Sequence, residues 1–145
     1  MKIYFSCSIT GGRNEEKIYQ AIVAHLLQSG HEVPTAILSS PSVMDLELIE
    51  EPVMVFERDM AWLRECDALI AEVSSPSHGV GYEVAYALSL GKPVLCCYHR
   101  HKKVSKIITG NTTPGLSRGV YETEAEVLRL VGEFCAGLQV SGEDY

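Results

Sequence analysis

No stretch of this 145-residue chain stays apolar for the ~20 positions that a bilayer-spanning helix requires. The N-terminus, MKIYFSCSIT, carries one Lys and then turns polar, so it lacks the unbroken apolar segment of a secretion signal. Basic residues are few: 12 Lys and Arg against 19 Asp and Glu leave a net charge of −7. That balance argues against a broad footprint on a nucleic-acid polymer and against a membrane surface. The five cysteines (Cys7, Cys66, Cys96, Cys97 and Cys135) are odd in number and contain no C-x-x-C. Neither a disulfide framework nor a zinc site is expected, and the thiols read as small packed hydrophobes. Also missing are G-x-G-x-x-G and G-x-x-x-x-G-K-[ST], which removes a dinucleotide fingerprint and a P-loop. These absences lead to the expectation of a cytoplasmic or nuclear protein without metal or organic cofactor.

What is present is 46% hydrophobic and 21% charged, enough apolar material for one core, with no repeat or linker to mark a second domain. IYFSCS (3–8) reads as a strand, and the segment from Asn14 as a helix with apolar Ile18, Ala21, Ile22, Ala24 and Leu26, capped by Gly30. HEVPTAIL (31–38) reads as a second strand, placed at an edge by Pro34. A polar connection over 39–51 precedes a helix over 52–66, opened by Pro52 and striped by Val53, Phe56, Met60 and Leu63. DALIAEV (67–73) and KPVLCCY (92–98) read as buried strands flanking a helix over 80–91. A short helix near VSKIIT, a loop over 110–119, a strand VYET and a helix over 124–138 follow, with 139–145 as a flexible tail. Five alternations of strand and helix imply a doubly wound, five-stranded parallel sheet of the Rossmann or flavodoxin type, one domain spanning 1–138.

In such a sheet ligands bind beyond the carboxyl ends of the strands. Two Gly- and Ser-rich loops fall there: SITGGRN (8–14) and SSPSHGVG (74–81). Together they can hold an anion with backbone N–H groups and hydroxyls. Glu83 lies two residues past the second loop, where a helix start would favour its ionised form and make it a plausible nucleophile. Asp59, beside the apolar stripe of another helix, supplies a second carboxylate, and Tyr4 on the first strand can face the same crevice. Two acids from separate elements are the equipment of glycosidic cleavage. The residues alone also allow a favourable helix-terminal charge at Glu83, a surface acid at Asp59 and a core Tyr4. The basic run His99–Lys103 reads as a solvated loop, with substrate steering as the alternative.

Three segments carry a resemblance: IYFSCSITGGR (3–13), FERDMAWLRECDALIAEVSSPSHGVGYEVAYALSLGKPVLC (56–96) and, more weakly, SRGVYETEAEV (117–127). In them the chain resembles the nucleoside 2-deoxyribosyltransferase superfamily, and within it the 2′-deoxynucleoside 5′-phosphate N-hydrolases. The resemblance implies release of free base and 2-deoxyribose 5-phosphate from a nucleoside monophosphate. Glu83 would be the nucleophile, Asp59 its partner in proton transfer, and Tyr4 would hold nucleophile or sugar. Ser8, Ile9, Gly11, Ser77 and Gly79 would receive the 5′-phosphate. Ser117 would complete the site of a neighbouring copy in a homodimer; a transferase would instead present a carboxamide there, against the 5′-hydroxyl, which Asn111 could supply if the register is shifted. Thr10 stands where the resemblance leads one to expect Arg, and Ala36 lies where it leads one to expect His; His78 reads as a rim residue. Base exchange as in the transferases, hydrolysis of CMP-type ribonucleotides, and a non-catalytic nucleotide-binding module are the alternative readings.

Overall fold

The computed structural model describes residues 1–141. Strand β1 (Ile3–Ser6) leads into α1 (Glu16–Gln28), a 3-10 turn (Ala36–Ser39), α2 (Val43–Ile49) and α3 (Pro52–Glu65). Then come β2 (Ala68–Glu72), α4 (His78–Ser89), β3 (Val94–His99), α5 (Lys106–Thr109), β4 (Leu116–Tyr121) and α6 (Glu124–Ser141). The four strands lie in the order β1-β2-β3-β4 and every pairing is parallel. Both faces are covered, as parallel sheets require. Ile3, Phe5, Ile70, Leu95, Cys97 and Tyr121 pack against α1 and α6. On the other face Tyr4, Leu69, Ala71, Val94 and Cys96 meet Met60 and Leu63 of α3 and Val80, Val84 and Ala87 of α4.

The fifth strand expected over 31–38 does not form. It shrinks to one parallel bridge, Lys2 to Glu32, with the Ile3 N–H donating to the Glu32 carbonyl at 2.8 Å. Two residues explain why. Pro34 has no N–H to give a ladder. Thr35 replaces the ladder with a side chain: its Oγ1 accepts from the Phe5 N–H at 3.0 Å and donates to the Phe5 carbonyl at 2.7 Å. The first crossover still carries the chain to the far flank of β1, and the later ones carry it the opposite way. The strand order therefore reverses beside β1, which is where a doubly wound sheet opens a crevice.

Two boundaries and one buried face also differ from the sequence reading. Residues 116–119, expected in a loop, form most of β4, because Leu116 to Gly119 align with Val94 to Cys97. Helix α6 runs past 138 to Ser141, so the expected tail begins as helix, and its residues 142–145 lie outside the described part. The apolar stripe of α3 is buried only in its second half; Val53 and Phe56 are exposed, and Asp59, Met60 and Leu63 are the buried residues. Close backbone approach explains one glycine: a Cβ on Gly11 would stand 2.1 Å from the Pro76 carbonyl oxygen. The β1–α1 and β2–α4 loops touch there, and no larger residue fits.

Candidate active site

Period-two alternation in β1 puts Tyr4 and Ser6 on the face covered by α3 and α4. Ser77 caps α4, its Oγ accepting from the Val80 N–H at 3.4 Å, so the helix begins at His78. Glu83 is therefore past the first turn, and its side chain reaches β1, where the Ser6 hydroxyl donates to its carboxylate at 2.6 Å. The favourable N-terminal dipole expected for Glu83 falls off within that first turn. Desolvation governs instead. Burial pushes the Glu83 pKa up to about 7, Ser6 and Tyr4 pull it back, and the charge of Asp59 adds to the rise.

Asp59 comes from α3 and is 8% exposed. Burial raises its pKa, while Arg58 lowers it by donating from Nε to the carboxylate at 2.9 Å. The same guanidinium bonds Glu50 at 2.6 Å and lies 4.8 Å over the Trp62 ring, so it is fixed from three sides. Tyr4 is fully buried, and its hydroxyl has no well-formed hydrogen bond among the described residues. Burial, then the charges of Glu83 and Asp59, raise its pKa far above the usual phenol. Tyr4 is a neutral donor facing two carboxylates.

The loops that Gly11 and Pro76 join line a cavity of about 580 Å³ with Thr10, Ser75, Ser77, His78, Val80 and Gly81. Its other wall is Lys103, Val104, Ser105, Ile107 and Ile108, from the connection between β3 and β4. Arg13 steadies the first loop by donating to the Ser8 carbonyl at 3.2 Å and the Ser40 carbonyl at 3.4 Å. Ser8 is fully buried and its Oγ is without a partner among the described residues. Glu83, Asp59 and Tyr4 are not part of the cavity wall. The acid cluster and the hollow flank the start of α4.

The structure thus gathers Glu83, Asp59 and Tyr4, and separately Gly11 and Ser77 with Ser8 beneath their loops. Ile9 is half-buried in the first loop, and Gly79 is exposed in the first turn of α4, next to the cavity residues His78 and Val80. Ser117 is not gathered. It is exposed on β4, aligned with Leu95, which packs on the α1/α6 face. Three strand spacings of ~4.8 Å separate it from β1. Asn111 turns its side chain to the Thr113 N–H at 2.9 Å, and Ala36 packs at the α1/α6 core, so neither reaches the cavity. The Cys7 thiol is pushed up to about 12 by burial and donates to the Leu38 carbonyl, which makes it packing material. Sequence reasoning missed Ser6, Arg58 and Ser105. Ser6 had a signal: a hydroxyl two residues from Tyr4, on the same strand face. Among the described residues no three His, Cys, Asp or Glu converge as metal ligands would.

A family model described as nucleoside 2-deoxyribosyltransferase matches residues 3–142. The chain belongs to that family. It is 40% identical over 117 residues to a protein of Methanococcoides burtonii provisionally named 2′-deoxynucleoside 5′-phosphate N-hydrolase 1, covering 81% of this chain and 96% of that one. It is 37% identical over 137 residues to the 5-hydroxymethyl-dUMP N-hydrolase of Danio rerio, covering 92% and 95%. Among solved structures, the CMP N-glycosidase BcmB of Clostridium botulinum superposes with a TM-score of 0.68 at 20% identity, covering 91% of this chain and 99% of that one. At that identity the likeness is one of fold.

Proposed function

We propose that this chain hydrolyses the N-glycosidic bond of 2′-deoxynucleoside 5′-monophosphates, giving free base and 2-deoxyribose 5-phosphate. The observation that carries the reading is Glu83: a partly exposed carboxylate, oriented by Ser6 at 2.6 Å, beside a second acid, with a pKa near 7. In its ionised form Glu83 attacks C1′. The bond from C1′ to the base nitrogen breaks, and the departing base takes a proton through Asp59. Water then attacks C1′ and gives its proton to Asp59, the C1′–Glu83 ester bond breaks, and the Glu83 carboxylate and the sugar phosphate are released. Tyr4, neutral at every working pH, donates toward the carboxylate or the sugar. A 2′-hydroxyl would crowd Glu83 and withdraw electrons from the oxocarbenium-like transition state, so 2′-deoxy substrates are preferred. The phosphate binds at the loops of Gly11 and Ser77, supported by Ser8, Ile9 and the backbone at Gly79, and positions the sugar from a distance.

The working unit in this reading is a homodimer. Val53, Met54 and Phe56 of α3 and Tyr82 of α4 are exposed apolar residues beside the acids. The Phe56 and Tyr82 rings meet edge-on at 6.4 Å, and Tyr82 stacks on Tyr86 at 6.3 Å. A second copy covering this aromatic strip would wall the acid cluster, and the exposed Ser117 of one copy is free to serve the other. Sedimentation as two chains is the expected result; a single-chain species at assay concentration would remove the second copy.

The deciding experiment incubates the protein with dGMP, dAMP, dCMP, dTMP and 5-hydroxymethyl-dUMP, each with its nucleoside and ribonucleotide counterpart, and measures free base. Release from the deoxynucleotides is expected. Faster base exchange on unphosphorylated deoxynucleosides would make the chain a transferase, and faster release from CMP a ribonucleotide hydrolase. Tight binding of monophosphates with no turnover would make it a binding module.

A further inference from the structure

The run His99–Lys103 contains five basic side chains, and the structure occupies four of them. The His99 ring lies edge-on to Tyr121 at 5.6 Å. Arg100 and His101 reach the Glu122 carboxylate at 3.4 and 3.3 Å. Lys102 pairs at 3.4 Å with Glu15, a carboxylate only 8% exposed. Lys103 has neither an ion pair nor a hydrogen bond to any described residue. It forms part of the cavity wall opposite Thr10, Gly11, Ser75 and Ser77, and among the described residues no other Lys or Arg, and no Asp or Glu, lines that cavity.

A solvated loop would leave several lysines equally unpaired and pointing anywhere. Here the loop is held. Glu15, just ahead of α1, accepts from the Ser75 hydroxyl at 2.8 Å while pairing with Lys102. One buried carboxylate therefore ties the β1–α1, β2–α4 and β3–α5 connections together at the carboxyl edge of the sheet. The chain is thereby tethered at Lys102, next to the residue that enters the cavity wall. A phosphate dianion in that hollow would meet hydroxyls, backbone N–H groups and one ammonium, with no carboxylate to repel it.

We infer that Lys103 is the side chain that confers selectivity for the 5′-phosphate, held over the cavity by the Glu15–Lys102 ion pair beside it. The inference rests on the proposed reaction for the identity of the substrate, though not for the presence of an anion site. Lys is suited to this role as a point charge on a flexible stem that can follow a phosphate into place.

The test compares wild type with Lys103→Gln, Lys103→Arg and, as a control, Lys106→Gln, which removes an exposed charge three residues on. KM for the best deoxynucleotide is expected to rise about ten- to hundredfold in Lys103→Gln, with kcat changing far less. Lys103→Arg should recover most of the loss, Lys106→Gln should lose less than twofold, and the unphosphorylated nucleoside should be insensitive to all three. Titration with inorganic phosphate, followed by calorimetry, should show the same ranking. A KM unchanged in Lys103→Gln, or an equal loss in Lys106→Gln, overturns the inference while leaving the reaction standing. No base release from any nucleotide, with phosphate binding still weakened by Lys103→Gln, overturns the reaction and keeps the site. Absence of phosphate and nucleotide binding by the wild type overturns the inference outright.

Discussion

Glu83 and Glu72 are two carboxylates on opposite faces of one sheet, and burial lifts both to a pKa of about 7. Their surroundings separate them. Glu72 is fully buried and enclosed: the Ser74 hydroxyl donates to it over a short contact, the Ser74 N–H at 3.3 Å and the Tyr121 hydroxyl at 3.0 Å. Glu83 is partly exposed and has one short donor, Ser6. A perturbed pKa by itself does not distinguish a working acid from a structural one. The number of donors already committed, and whether a reactant can arrive, does.

The largest contrast should come from removing each acid in turn. Glu83→Ala is expected to lower kcat at least about a thousandfold and leave the thermal midpoint near wild type. Glu72→Ala should do the reverse: it strands the Tyr121 and Ser74 hydroxyls and costs about 2–4 kcal/mol in denaturant titrations, with turnover per folded molecule retained. Loss of turnover in both, at equal stability, would erase the distinction.

A smaller effect sharpens the electrostatics of the proposed nucleophile. Asp59→Asn should lower kcat about a hundredfold. It also removes a charge that raises the Glu83 pKa, so the acidic limb of kcat/KM against pH, expected near the Glu83 pKa of about 7 in the wild type, moves to lower pH. Ser6→Ala removes a donor that lowers that pKa, so the same limb moves to higher pH. Shifts in one direction for both variants would show that Glu83 does not set the limb.

The smallest effect is on stability and concerns Glu72. Its folded pKa lies above the ordinary 4.5, so the folded state holds a proton that the unfolded chain releases between pH 4.5 and about 7. Stability from this group is complete below 4.5 and declines as pH rises to 7, by on the order of 1–3 kcal/mol. Glu72→Gln should flatten that decline, as read from denaturant midpoints at pH 5 and pH 8.

The parallel sheet was legible because β1, β2 and β3 are apolar on both faces and helices with clear apolar spacing lie between them. The strand over 31–38 was misread because its apolar pattern is real, and only the positions of Pro34 and Thr35 show that a hydroxyl takes over the pairing. Val53 and Phe56 read as core because spacing reports a helix face without reporting what covers it. The place of Glu83 after a glycine loop was legible, but its ionisation was not, since helix start and desolvation are set by the fold. Lys103 was hidden among four other basic residues, and only their partners in space single it out.

The Thr35 hydroxyl has a consequence for how molecules of this protein meet. The open flank of a terminal strand is a template on which a stray strand can dock and begin a fibril. On this side of the sheet, both backbone groups of Phe5 are occupied by one short side chain, and the bridge at Glu32 occupies the next. Among the described residues the chain has capped this border without adding a full strand, so a foreign segment would meet a ladder already largely taken.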